Sequence, residues 1–251
     1  GKRHQVILMI DLGDLREGIF YQDGDRILDT AALALSQEGL SLAGLGANLT
    51  CFGGILPDEH NMGILLGWAR RIRERFHIPL PLVSGGNSSS LHLLLNGRLP
   101  RGINHLRVGE GLLLGMDTSV GKPMAQLSQR AFTQYARLVE VYHKPSRPEG
   151  KTGPNAFGEP VSFEDRGPMA RGILAIGRQD TDQGALTPRD ERVRVLGGSS
   201  DHLLVDLTQA PGCQVGDVLG FYPGYSAMLR AYTSAYVAKS CIDTEGNLSH
   251  E

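Results

Sequence analysis

The sequence predicts an α/β half followed by a β half, the α/β half built from four strand–helix units. Three observations predict it. Short apolar, branched runs recur from residue 6 to about residue 115, each followed by polar or glycine-rich residues and then by a helical stretch. After Gly115 helical periodicity fades, and Pro and Gly punctuate short β-like runs. The 251 residues, 41% hydrophobic and 21% charged, suffice for one large α/β domain or two ordinary ones, since domains cluster near ~100–150 residues. Strands alternating with helices imply a parallel sheet with right-handed crossovers. Four such units are half of a closed eight-stranded barrel, which takes ~200 residues or more. A small open four-stranded sheet fits the same pattern. The expected division is a partial α/β barrel over 1–124 and an all-β domain over 125–251.

The first strand is expected over 6–11, where Val6-Ile-Leu-Met-Ile-Asp11 reads as a run buried on both faces and ended by an acid. Further strands are expected over 43–50, 80–84 and 104–108, with helices over 27–37, 60–76 and 89–95. The middle helix carries Met62, Leu65, Leu66, Ala69, Ile72 and Phe76 at helical spacing, and Arg70, Arg71, Arg73, Glu74 and Arg75 fall largely on its other face. In the second half, β-like runs cover 135–142, 172–176, 193–196, 202–206, 218–222 and 232–238, and Val215-Gly-Asp-Val218 reads as a turn into a strand. The last ten residues are polar and expected to fray. No Met opens the chain, and Gly1-Lys-Arg-His-Gln5 leads directly into the first strand. The expectation is that these residues begin inside a longer protein.

Composition removes several classes. Lys and Arg number 25 against 27 Asp and Glu, a net charge of −2, so no polycationic surface exists to track nucleic acid. No apolar run approaches the ~20 residues of a membrane-spanning helix. Cys51, Cys213 and Cys241 are odd in number and far apart, which points to a reducing compartment and a cytoplasmic protein rather than a disulfide framework. The Asn-x-Ser/Thr triplets at Asn48, Asn87 and Asn247 read as incidental. Glycine reaches 33 residues, about 13% against an average of ~7%. The excess sits in clusters where a backbone turns sharply or approaches a ligand.

Polar residues follow each expected strand of the first half, and ligands of parallel sheets bind at the carboxyl ends of strands. Ser84-Gly-Gly-Asn-Ser-Ser-Ser-Leu91 has the character of a phosphate site, with Asn87 and Ser88 as side-chain donors; a helix N-cap is an equal reading. Arg107-Val-Gly-Glu110 leaves another strand end, where Arg107 either faces a ligand or pairs with Glu110. Asp11, Asp14, Arg16 and Glu17 read as a charged rim. Histidines 60, 77, 92, 105, 143 and 202 show no metal-ligand spacing and read as surface or helix-end residues. Gly177-Arg-Gln-Asp180 and Ser199-Ser-Asp-His202 read as turns of the β half. Tyr222, Tyr225, Tyr232 and Tyr236 read as sheet packing.

Together these segments resemble the alanine racemase family of pyridoxal 5'-phosphate (PLP) enzymes, closest to its ornithine racemase branch. The resemblance rests on the runs from Val6 to Ile19, Asn48 to Gly54, Ser84 to Leu91, Leu174 to Asp180 and Gly198 to Leu203, in the same order. It implies the C-terminal half of a PLP-binding (β/α)8 barrel followed by a β domain, and a homodimer in which the β domain of one subunit completes the other's site. It further implies that Asn87 and Ser88, with the backbone of Gly109 and Glu110, hold the cofactor's phosphate. Arg107 faces the pyridine nitrogen, Arg16 lies near the phenolic oxygen, and Asn48 stands where alanine racemases commonly place a histidine. The implied substrate is ornithine or a similar basic amino acid, and no metal is implied.

The departures from the family are as informative. Its second catalytic base is a tyrosine in a Gly-Tyr-Ala-Asp turn, and here the aligned turn is Gly177-Arg178-Gln179-Asp180. A guanidinium with a pKa above ~12 is a poor base, so Arg178 is expected to steer a substrate carboxylate. Asp180, Asp201 and Tyr225 are the other candidates. Met9 occupies the position where some members carry a modified lysine. The family's Schiff-base lysine lies in a preceding N-terminal portion, and none of Lys2, Lys122, Lys144, Lys151 and Lys239 has its context. The chain alone is therefore expected to be inactive. Rival readings are a fold-related PLP lyase or decarboxylase, and a non-catalytic PLP- or anion-binding relative.

Overall fold

A computed structural model of the protein describes residues 2–242 and 248–250. The chain divides into two compact units, Gly1–Gln129 and Arg130–Glu251. The Asn247 triplet lies outside the described residues, as does part of the tail expected to fray.

In the first unit the strands β1 (His4–Asp11), β2 (Ile19–Phe20), β3 (Leu40–Gly46) and β4 (Leu82–Ser84) form one parallel sheet in the order β2-β1-β3-β4. Helix α1 (Gly24–Ser36) links β2 to β3, and α2 (Glu59–Phe76) links β3 to β4. Asp23 caps α1 by accepting from the Arg26 amide at 3.3 Å. Helix α2 opens on a capping box, in which Asp58 and Asn61 each accept the other's backbone N–H at 2.7 and 3.0 Å, an arrangement in which the cap alone stabilises by about 1 kcal/mol. The apolar stripe of α2, Met62, Leu65, Ala69 and Ile72, is fully buried against Ile10, Leu45 and Val83 of the sheet. Two expected strands need correction. The one drawn over 43–50 ends at Gly46, because the backbone beyond it turns to meet Asp14. The one drawn over 104–108 is reduced to a single parallel bridge between His105 and Ser84.

After β4 the chain makes a 3₁₀ turn at Ser88–Ser90, the short helix α3 (Leu91–Leu95) and, after the bridge, helix α4 (Glu110–Leu114). A small hairpin of β5 (Met116–Asp117) and β6 (Lys122–Pro123) follows.

The second unit is built on a six-stranded sheet of β7 (Gln134–Pro145), β8 (Pro168–Leu174), β9 (Leu186–Pro188), β10 (Arg194–Gly198), β11 (Leu203–Asp206) and β12 (Val218–Pro223), in the order β10-β11-β8-β7-β12-β9. All its pairings are antiparallel. The start of β7 alternates Gln134, Ala136 and Leu138 inward with Tyr135, Arg137 and Val139 outward, the period-two pattern of a sheet with one covered face. Leu138, Leu174, Leu203, Val205 and Phe221 make its core.

The unit is not all β. Helix α5 (Tyr225–Thr233) buries Ala227 and Met228, and no strand follows over 232–238. Tyr225 and Tyr232 therefore ride on a helix instead of packing in a sheet. Tyr225-Ser-Ala-Met-Leu-Arg-Ala-Tyr232 has apolar residues at both periods, which explains why periodicity did not separate helix from strand. A last ladder pairs β13 (Ser240–Ile242) with β14 (Leu248–His250).

Among the described residues no helix is long and apolar enough to cross a membrane, and no group of three or more metal-ligating side chains exists.

Candidate functional site

The carboxyl ends of β1, β3 and β4 gather the polar residues of the first unit. Asp11 closes β1 and accepts from the amides of Gly13 and Leu15 at 2.9 and 3.1 Å. Asp14, 1% exposed, accepts four further amides, those of Thr50, Cys51, Phe52 and Ile55, at 2.9–3.2 Å. Burial pushes its carboxyl up, and the four amide donors more than reverse this, leaving it below the usual carboxylate range. Asp14 is thus no part of a rim; it pins the loop after β3 to the loop after β1.

That pin presents the next residues. Arg16 forms a two-pronged ion pair with Glu17, through Nε to Oε2 and through Nη2 to Oε1 at 2.8 Å. The same Oε1 accepts from Asn48 Nδ2. Asn48 Oδ1 in turn accepts from Arg107 Nη2 at 2.5 Å, and that nitrogen also donates to the Ala47 carbonyl at 2.9 Å. Arg107 Nη1 donates to Ser84 Oγ, which lies 2.9 Å from His105 Nδ1. Arg107 makes no ion pair with Glu110. Its bonds all point back to the strand ends, and burial draws its guanidinium below the ordinary arginine value while Glu17 counters. Arg16, first of all through its hydrogen bonds, and then Asn48 hold Glu17 at about 2.

Beside this network, Asn87 caps the 3₁₀ turn, its Oδ1 accepting from the Ser89 amide at 2.8 Å and its Nδ2 donating to the Leu49 carbonyl at 2.9 Å. Ser88 Oγ accepts from the amides of Gly109 and Gly111 at 3.2 and 3.0 Å, which leaves its hydroxyl proton to be donated elsewhere. Glycine at 111 leaves room for Leu91 and Ser88, since a Cβ there would lie 2.6 Å from Leu91 Cδ1 and 3.2 Å from Ser88 Cβ and would push on both. At Gly109 a Cβ would meet nothing within 4 Å, so space lies open there. A free hydroxyl proton, open space over Gly109 and two guanidiniums suit an anionic, phosphate-bearing group.

In the second unit the two turns noted in the sequence are laced together. The amides of Arg178 and Gln179 donate to the carbonyls of Ser199 and Ser200 at 2.9 and 3.1 Å. Gly177 must be glycine, since a Cβ would lie 2.2 Å from Ser200 O. Arg178 stands in a cleft of about 600 Å3 lined also by Glu159, Asp182, Gln183 and Arg230. Its guanidinium is already engaged by Glu159 and by the Phe157 ring. Asp180 is buried and accepts from Ser234 Oγ at 2.5 Å. Asp201 is exposed and accepts from Ser200 Oγ at 2.9 Å. Tyr225, at the first position of α5, is about half exposed.

Sequence reasoning missed Glu17 as a bridge, Ser84 as a partner of Arg107 with His105 behind it, and Glu159 and Arg230 in the cleft. His105 was legible in principle: it precedes Arg107 by two residues, the spacing that puts side chains on one face of an extended chain. Glu159 lies in a Pro/Gly-rich stretch with no period to place it.

An α/β unit with anion-suited strand ends, joined to an antiparallel β-rich unit, is the architecture of the alanine racemases. No family model matches the chain. It is 43% identical over 242 residues to an ornithine racemase from Acetoanaerobium sticklandii, covering 96% of this chain and 68% of that protein. It is 41% identical over 236 residues to a lysine racemase from Thermotoga maritima, covering 94% and 65%. Among solved structures it is similar to a D-threonine aldolase from Filomicrobium marinum (TM-score 0.64, 15% identity, 97% of this chain and 61% of that one). It is also similar to an alanine racemase from Bartonella henselae with covalently bound pyridoxal phosphate (TM-score 0.57, 19% identity, 91% and 60%). The chain belongs to the alanine racemase family, in its ornithine racemase branch. It spans about two thirds of the length of the curated relatives it matches.

Proposed function

We propose that the chain is the greater part of a PLP-dependent racemase of ornithine or a similar basic amino acid. In this reading Gly1–Gln129 is the C-terminal half of the barrel, Arg130–Glu251 is the β domain, and two copies pair. The observation that carries it is the placement of Arg107, whose guanidinium is bonded on three sides by Ser84, Ala47 and Asn48 at the ends of parallel strands. Identity of 43% with an ornithine racemase supports the substrate class.

Bound there, PLP supplies an electron-withdrawing ring that acidifies the α-proton of an amino acid. Ser88, through its hydroxyl proton, would hold the phosphate, with Asn87 and the backbone of Gly109 and Glu110 beside it. Arg107, cationic at every working pH, would face the ring nitrogen and disfavour a proton on it. Arg16 would lie toward the phenolic oxygen.

On the β side Arg178 is occupied by Glu159 and is no base. Asp180, which accepts from Ser234, together with Asp201 and Tyr225 supplies the candidate proton carriers. The lysine that holds the cofactor is supplied from outside these 251 residues. Lys2 precedes β1, Lys122 sits in the β6 hairpin, Lys144 pairs with Glu140, Lys151 is exposed between β7 and β8, and Lys239 donates to the Ser234 carbonyl.

The test is chiral chromatography of L-ornithine and L-lysine incubated with PLP and the purified chain. The chain is tried alone and with the N-terminal third of the Acetoanaerobium sticklandii relative added as a separate polypeptide. Racemisation only in the mixture is expected. No PLP binding and no racemisation in either arm would overturn the reading, and racemisation by the chain alone would overturn the lysine's external origin.

A further inference from the structure

Glu17 has no role in the reading above, yet every cationic group of the first-unit cluster leads to it. Its Oε2 takes the Nε–H of Arg16, and its Oε1 takes both Arg16 Nη2 and Asn48 Nδ2. The other end of the Asn48 amide takes Arg107 Nη2. An amide is uncharged, yet it donates from one end and accepts at the other. Between a carboxylate and a guanidinium its orientation is fixed by both neighbours. A histidine in that place would offer one donor and one acceptor only in its neutral form. Arg107 is fixed from the opposite side as well, through Ser84 Oγ and the His105 ring. The hydrogen-bonded relay joins two guanidiniums to the Glu17 carboxylate, while Asp11 and Asp14 are taken up by backbone amides. Glu17 is therefore the carboxylate that offsets guanidinium charge by direct pairing at these strand ends.

We propose that Glu17 is a positioning residue that couples Arg16 and Arg107 into one unit through Asn48. It sets where both guanidiniums point and how much of their charge is left for a ligand at the strand ends. Loss of the Glu17 charge frees Asn48 to turn over, which withdraws the acceptor from Arg107 Nη2 and leaves that nitrogen only the Ala47 carbonyl. The relay stands on the geometry of this chain; that the ligand is PLP rests on the proposed function, and the test separates the two.

Glu17→Gln keeps size and hydrogen bonding and removes the charge, and Glu17→Asp keeps the charge. The first readout needs no ligand: hydrogen exchange of the Arg107 Nη protons by NMR in the free chain. A several-fold acceleration is expected in E17Q and in Asn48→Ala, with the double variant no faster than N48A alone. The second readout is the pH titration of the absorbance of PLP added to the chain. E17Q is expected to displace its midpoint by roughly half to one pH unit, as loss of one nearby partly screened charge requires. E17D is expected to restore it. Wild-type exchange at Arg107 in E17Q, at unchanged thermal stability, overturns the relay whatever PLP does. Exchange that accelerates as expected in a wild-type background that binds no PLP upholds the relay and sinks the cofactor reading instead.

Discussion

Arg178 donates to both carboxylate oxygens of Glu159, at 3.0 and 2.9 Å, while its guanidinium lies 4.1 Å from the centroid of the Phe157 ring. The fork is matched to one carboxylate and stacked on an aromatic face, so Glu159 would compete with a substrate carboxylate for it. In the chain as it stands Arg178 holds the 157–159 segment over the cleft, and a substrate carboxylate steered by it would have to take the place of Glu159. In the reconstituted enzyme Arg178→Lys should lower kcat/KM for ornithine by about tenfold through loss of the fork, while the shape of the pH–rate profile stays as in wild type. Tyr225→Phe or Asp201→Asn should instead remove one limb of that profile. A profile that loses a limb in R178K would make Arg178 the proton carrier.

Asp14 carries the loop geometry of the first unit. Asp14→Asn keeps the shape but replaces one acceptor oxygen by an NH2 group facing backbone donors, in a site 1% exposed. A loss of about 2–4 kcal/mol is expected, read as a lower urea midpoint. The sign with pH follows from the folded carboxyl lying below its ordinary value of 3.8. The stabilisation is complete above that value and is lost as pH falls through the lower folded value. Wild type should therefore lose stability toward strongly acidic pH more steeply than D14N, whose curve lacks this component.

Much of this was legible in the sequence, and what was not has physical causes. Parallel strands, the amphipathic α2 and the polar strand ends follow from period and composition, so Arg107, Asn48 and Ser88 could be placed near one another. The shortness of the fourth strand could not. Asn104-His-Leu-Arg107 has strand composition, but His105 and Arg107 are turned to Ser84, and only one bridge forms. The role of Asp14 was hidden because its partners are backbone amides nearly forty residues on, which carry no residue signature. Helix α5 was hidden because its nine residues satisfy both periods.

The hydroxyl of Ser88 makes a test of ligand class. With both backbone donors already satisfied on its oxygen, its proton is available to an anion, and a hydrogen bond to a charged group contributes about 1.5–3 kcal/mol. Ser88→Ala should weaken binding of PLP by roughly 10- to 100-fold and leave pyridoxal, which lacks the phosphate, unchanged. Gly111→Ala should act in the same direction, because its Cβ would press on Leu91 and Ser88. Equal losses for both ligands would show that the serine is structural. Titration calorimetry of the two ligands on each variant decides.

The last prediction concerns acid and the Glu17 network. The Glu17 carboxyl lies at about 2 in the fold against an ordinary 4.5, chiefly through the Arg16 hydrogen bonds. A depressed carboxyl contributes stability that is complete above the ordinary value and is lost as pH falls through the folded one. The side chain is 40% exposed, so solvent screening reduces that contribution to the order of 1 kcal/mol or less, too little to read in a denaturation curve. The side-chain amide resonances of Asn48 read it directly. They should hold constant from pH 7 through pH 4 and move only as pH approaches 2. In E17Q they should start from a different position and show no such step. A midpoint near 4.5 in wild type would mean that Glu17 titrates as a free carboxylate and that neither Arg16 nor Asn48 holds it in solution.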